Sequence, residues 1–266
     1  MPNKSQTDDL TTIPSTKQFD PVPKSGISTE ELLECYRNIA QGCSNWTSPS
    51  FMGFPDSGNA LPAVAASLLI PLLNQNLANQ DICTPSATFV QMELVHWLRQ
   101  VLGYPVPANY SSVRDIGGVL TLGGCLSNTV ALMAAKEHTF PGATLRGLPV
   151  KPQEVKVLVP EIIEHYSVRS AMAWLGFGET QVVRVSVDSS FRMRLDKLEE
   201  CIEHERAQGR YTMACVAYAG DSRSMSVDNL ADIAQVLNKK GFGFTLMLVT
   251  AASLLSQPST DTRFVA

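Results

Sequence analysis

Met213-Ala214-Cys215-Val216-Ala217-Tyr218 is a continuous apolar run. It leads into a polar loop, Ala219-Gly220-Asp221-Ser222-Arg223-Ser224, and then into Val227-Asp228-Asn229-Leu230, which opens a helical pattern ending near Lys240-Gly241. A short apolar run without alternation predicts a strand covered on both faces. A strand passing through a loop into a helix is the repeating unit of a parallel sheet. The same order recurs upstream. Val155-Lys156-Val157-Leu158-Val159 reads as a strand ahead of a helix near 166–175, and a strand at 181–187 precedes a helix at 194–207. Gly117-Gly118-Val119-Leu120-Thr121-Leu122 also reads as a buried strand, followed by a glycine pair and a helix from Ser127 or Asn128 through Ala135. The expectation is an α/β domain, a mostly parallel sheet covered by helices, whose ligands bind at the carboxyl ends of the strands.

Ahead of this domain the pattern differs. Residues 1–27 are rich in Ser, Thr, Pro and Lys without periodicity and read as a flexible leader. Ser28-Thr29-Glu30-Glu31 supplies a cap and first-turn acids for a helix running to Gly42. Two further apolar helices are expected at about 58–79 and 87–102, the second stopped by Gly103 and Pro105. The division is therefore a leader, a helical segment over 28–110, the α/β domain over 111–244, and a distinct tail over 245–266.

Composition narrows the function. With 44% hydrophobic and 17% charged residues the chain is long enough, at 266 residues, to bury a core. The net charge is 21 − 25 = −4 and no basic stripe is present, which argues against a nucleic-acid partner. The absence of a secretory signal or membrane-spanning run at the amino terminus predicts a cytoplasmic protein with no membrane partner. The six cysteines (Cys35, Cys43, Cys83, Cys125, Cys201, Cys215) are scattered without a CxxC pair, so they are read as reduced, buried small hydrophobes, and no metal site is expected.

Three segments could carry chemistry. Gly123-Gly124-Cys125-Leu126-Ser127-Asn128 places glycines and a helix start after an apolar run, where free amides suit a phosphate, and equally suit a tight structural turn. In Glu164-His165-Tyr166-Ser167 the histidine could lie on an aromatic cofactor or move a proton, or could simply be hydrogen-bonded at a strand exit. The 219–224 loop could face the same crevice or be a solvated turn. His96, His138 and His204 stand singly among helical residues and receive no role.

Taken in order, these pieces resemble the group II pyridoxal-dependent decarboxylases, the family of glutamate, aromatic amino-acid and diaminobutyrate decarboxylases. The resemblance covers roughly residues 48–244. It rests on Phe51-Met52-Gly53-Phe54, Ser86-Ala87-Thr88 with Glu93, Trp97-Leu98, Leu102-Gly103-Tyr104-Pro105, Gly117 to Thr121, Gly123 to Asn128, His165-Tyr166-Ser167-Val168 with Ala171, and Ala219-Gly220 with Val227 to Leu230. It implies an aspartate-aminotransferase-like (fold type I) large domain with an amino-terminal helical segment, a homodimer, an amino-acid substrate and pyridoxal 5'-phosphate as cofactor. By the resemblance, Gly124, Cys125, Leu126 and Ser127 bind the cofactor phosphate, Asn128 belongs to the same cofactor-binding stretch, and His165 stacks on the ring. The loop at Asp221 and Ser222 approaches it, although the family usually has Thr residues there.

The family's chemistry also needs a Schiff-base lysine and a carboxylate on the ring nitrogen. In the family these lie in a His-Val-Asp-Ala segment and a later His-Lys, followed by a small carboxyl-terminal domain. After Lys240 this chain has no lysine, and its one acid there is Asp261. In the expected place stands Thr245-Leu246-Met247-Leu248-Val249-Thr250-Ala251-Ala252. Codons permitted for these residues, read one nucleotide earlier from the last base of the Phe244 codon, allow His, Val, Asp, Ala, Cys, His, Gly and Ser or Gly in turn. Residues 245–266 are therefore read as an out-of-frame tail, and the chain as a truncated, inactive decarboxylase. The alternatives are a non-catalytic partner of a full-length subunit, or another pyridoxal enzyme of the same fold such as a carbon–sulfur or carbon–carbon lyase.

Overall fold

In the computed structural model of the protein, the residues described are 22–45, 48–51, 59–75, 84–162, 166–220, 224–240 and 246–249. The chain divides into two units, Met1–Gly58 and Asn59–Ala266. The first contains α1 (Thr29–Gly42), opened by a reciprocal capping box in which Ser28 Oγ accepts the Glu31 amide and the Glu31 carboxylate accepts the Ser28 amide.

The second unit begins with α2 (Leu61–Leu73) and α3 (Pro85–Val101), each with proline in its first turn, where its missing N–H costs nothing. It continues with α4 (Gly124–Thr139), the short α5 (Ala143–Arg146), β1 (Val155–Pro160), α6 (Tyr166–Trp174), β2 (Val182–Val185), α7 (Leu195–Ala207), β3 (Tyr211–Tyr218), α8 (Leu230–Lys239) and β4 (Leu246–Val249). The four strands form one parallel sheet in the order β2-β1-β3-β4.

Strand side chains alternate between faces, and each face has its own core. Val155, Val157 and Val159 of β1 with Ala214, Val216 and Tyr218 of β3 meet Leu132 and Ala135 of α4 and Val168, Ala171 and Met172 of α6. On the opposite face Leu158, Cys215 and Ala217 meet Leu198 and Ile202 of α7 and Leu230, Ile233 and Leu237 of α8. Burial on both faces explains why Met213–Tyr218 of β3 reads as an unbroken apolar run, and β1 as one interrupted by the half-buried Lys156 alone.

Most predicted elements are present, with shifted ends. The helix expected from Ser127 or Asn128 starts earlier, at Gly124. Gly117–Leu122 is a correction: it is not a strand, and Val119, Leu120 and Leu122 are exposed. Gly117 takes φ 64° and the guanidinium of Arg99 lies against it, while a Cβ on Gly118 would stand 2.6 Å from Val95 Cγ1. Arg99 donates to the carbonyls of Ile116 (2.6 Å) and Pro105 (2.5 Å), holding this segment along α3 rather than in the sheet. An apolar run alone cannot distinguish a buried strand from an uncovered surface. The expectation for the cysteines also needs correction: Cys215 is buried and Cys125 and Cys201 are half-buried, but Cys35 and Cys43 are exposed, because α1 buries none of its residues. Cys83 lies outside the described residues. A strand at Leu246–Val249 was not predicted; it pairs with β3 from Cys215↔Leu246 to Tyr218↔Val249.

Candidate active site

The loop from Thr121 into α4 is built around Gly123, whose φ of 148° and ψ of 173° belong to a region that only glycine enters readily. Gly123 offers no side chain to cap the helix, so the amides of Gly124, Cys125 and Leu126 open the first turn of α4. A Cβ at Gly123 or Gly124 would meet nothing within 4 Å, so the space before the turn is clear. The hydroxyls of Thr121 and Ser127 are 2.5 Å apart and both hydrogen-bond to the Gly123 carbonyl, which fixes the turn from its two sides. An anion at this position would meet free amides and the positive end of a helix of four turns.

Asn128 points the other way, into the core. Its Nδ2 donates to Ser167 Oγ at 2.7 Å, and both residues are buried. Ser167 stands in the first turn of α6, which follows the carboxyl end of β1. The start of α4 and the start of α6 are thereby held together at the ligand-binding edge of the parallel sheet. Thr129 Oγ1 donates to the Cys125 carbonyl at 2.8 Å and reinforces the first turn of α4.

Of the predicted site residues, Gly124, Cys125, Leu126, Ser127 and Asn128 fall together in this turn. Asn128 serves the packing of α4 on α6 rather than facing the open space. His165, Asp221 and Ser222 lie outside the described residues. His96, given no role, pairs through Nδ1 with the Tyr110 hydroxyl at 2.7 Å, an edge-on contact of the two rings. His204 pairs with Gln208 at 2.8 Å on the exposed side of α7.

In the sequence Asp228 belongs to a helix opening and to the residues that carry the family resemblance, with no role of its own. It is buried, and its carboxylate accepts the amides of Tyr218 and Met193, each at 2.7 Å. Burial raises its carboxyl above the ordinary aspartate range, and the two amide donors only partly oppose the shift. The available signal was a lone acid between Val227 and the capping residue Asn229, which accepts the Asp232 amide.

The open turn at a helix start, on the carboxyl edge of a parallel sheet, is a place where an anion can be held by main-chain amides. The chain belongs to the family described as the pyridoxal-dependent decarboxylase conserved domain, which matches residues 17–254. It is 31% identical over 188 residues to L-2,4-diaminobutyrate decarboxylase of Acinetobacter baumannii, a match covering 66% of this chain and 35% of that protein. It is 30% identical over 219 residues to the enzyme of the same name from Rhizobium meliloti (strain 1021), covering 82% of this chain and 41% of that one. Among solved structures, mouse CSAD in apo form aligns with TM-score 0.75 at 26% identity, over 85% of this chain and 45% of the other. Catharanthus roseus tryptophan decarboxylase, in complex with L-tryptophan, shares the fold at TM-score 0.75 and 19% identity. The chain thus spans about two fifths of the curated relatives it matches. Pyridoxal phosphate is the cofactor of this family, and the Gly123–Ser127 turn fits its phosphate in shape and polarity.

Proposed function

We propose that this chain carries the phosphate-holding part of a pyridoxal-phosphate-dependent amino-acid decarboxylase, and that the 266-residue chain itself releases no carbon dioxide. The observation that carries the first half is the clear two-glycine turn at the start of α4, tied through Asn128 and Ser167 to the start of α6. Gly124, Cys125, Leu126 and Ser127 would hold the phosphate, and His165 would lie against the ring. When bound, the cofactor supplies an electron sink for the electrons left behind as a carboxylate departs.

We infer inactivity from the residues that directly follow Phe244: Thr245 to Ala252 include no acid to pair with the cofactor's ring nitrogen. The codons of residues 245–252 permit His-Val-Asp-Ala-Cys-His in the neighbouring frame, so we read this stretch as out of frame.

The second reading, a partner that pairs with another subunit, is favoured by one observation. Helix α2 buries no residue and presents Leu61, Leu68, Leu69, Ile70, Leu72 and Leu73 uncovered. An apolar surface of this kind marks an interface. In that reading a full-length subunit covers this surface; in the homodimer expected of the complete family member a second copy of the chain covers it. No helix among the described residues is long and apolar enough to cross a membrane.

The test is release of carbon dioxide by the purified chain from 2,4-diaminobutyrate, glutamate and aromatic amino acids, with pyridoxal phosphate added. Saturable cofactor binding without carbon dioxide release is expected. Turnover would overturn the inactivity, and failure to bind the cofactor would overturn the site.

A further inference from the structure

β3 is the longest of the four strands, and seven of its eight residues are buried. Its stretch Met213 to Tyr218 carries no charge and no proline. A segment of that composition pairs readily with another strand once one of its edges is open. Its neighbours divide its length between them. Tyr211 to Cys215 are in register with Val155 to Leu158 of β1, and Cys215 to Tyr218 with Leu246 to Val249 of β4. The register with β4 thus begins at Cys215, where that with β1 ends, and runs along the apolar carboxyl half of β3.

The strand lengths fit an edge role for β4. The sheet is bounded by β2 and β4, of four residues each, with the six residues of β1 and the eight of β3 inside. Short outer strands present few unpaired amides and carbonyls to another chain, and β2 adds the exposed Arg184. β4 lies against α4 as well as β3, so two elements hold it. Leu246-Met247-Leu248-Val249 contains neither the proline nor the glycine that would weaken a ladder.

We propose that β4 is the closing strand of this sheet: by pairing with Cys215 to Tyr218 it shields the apolar half of β3 from pairing with another copy of the chain. The proposal depends neither on the cofactor site nor on the frame that encodes residues 245–266.

Hydrogen–deuterium exchange and light scattering on the full chain test the pairing and the shielding separately. The variants are Leu248→Pro, which removes an amide and cannot continue a ladder, and the milder Leu248→Gly, with Ser259→Pro further along the chain as the control. The reference amide is Val159 of β1, in register with Arg184 of β2 on the far side of the sheet. Exchange at Cys215, Val216 and Ala217 should rise on the order of tenfold more than at Val159 in Leu248→Pro, by less in Leu248→Gly, and not in Ser259→Pro. Leu248→Pro should also associate beyond the unmodified chain, with the amide I absorbance of intermolecular strands. Unchanged exchange at Cys215 to Ala217, or a rise matched at Val159 in both Leu248 variants, would overturn the pairing role. Faster local exchange without added association would overturn the shielding of β3.

Discussion

Asn128 on α4 donates its side-chain amide to the hydroxyl of Ser167 on α6 at 2.7 Å, within the core. The bond joins residues 39 positions apart and ties the start of α4 to the first turn of α6. Replacing Asn128 with Ala removes it and vacates packed volume. The expected loss is about 1 to 3 kcal/mol in urea unfolding, and cofactor binding should weaken with it.

Gly123 and Gly124 are adjacent but should respond differently. With φ 148°, Gly123→Ala forces a side chain into a backbone region it resists, at a cost of about 1 to 3 kcal/mol. Gly124→Ala meets open space and should leave the unfolding midpoint nearly unchanged. It should still lower affinity for pyridoxal phosphate or inorganic phosphate, because the methyl group stands before the turn.

Two carboxylates should give opposite pH responses. Asp228 has its folded value raised, chiefly by burial, with Asp188 adding to the shift and Arg192 opposing it. The folded chain therefore holds the proton more tightly, and stability from this group is full below the ordinary aspartate value of about 3.9 and falls as pH rises through the raised one. Against Asp228→Asn, the unmodified chain should lose relative stability as pH increases across that window.

Glu137 behaves in the reverse sense. It accepts the amides of Thr144 (3.0 Å) and Gly142 (2.5 Å), which lower its carboxyl below the ordinary glutamate range. Its contribution is present above about 4.3 and is lost as pH falls through the lowered value. Glu137→Gln should be less stable than the unmodified chain at neutral pH, with the difference closing in acid.

The uncovered face of α2 should govern self-association. Leu68→Glu with Leu72→Glu places charge on an apolar surface without disturbing a core, since α2 buries none of its residues. Sedimentation should show the unmodified chain self-associating and the double variant monomeric. Identical behaviour of the two would remove α2 from the proposed interface.

The alternation of apolar strands with helices made the sheet legible, because β1 and β3 are covered on both faces and are apolar but for Lys156 in β1 and Thr212 near the start of β3. The turn before α4 was legible as a turn into a helix, because paired glycines suit a tight reversal, although the helix starts at Gly124 rather than at Ser127 or Asn128. Gly117–Leu122 was misread because its composition matches a buried strand, whereas Arg99 and Val95 hold it along α3. Asp228 was missed because its role depends on Tyr218 and Met193, whose amides carry no signature in side-chain identity. The resemblance counts Asn128 among the cofactor-binding residues, and its side-chain amide donates to Ser167.

The central claim, that this chain derives from a decarboxylase whose reading frame departs at residue 245, is tested most directly by the nucleotide sequence of gene and transcript across the codons for residues 240–252. The account predicts that the neighbouring frame encodes His-Val-Asp-Ala directly after Phe244 and continues to a His-Lys. A neighbouring frame that encodes no such motif would contradict it, and would make Leu246–Val249 the authentic fourth strand of this sheet.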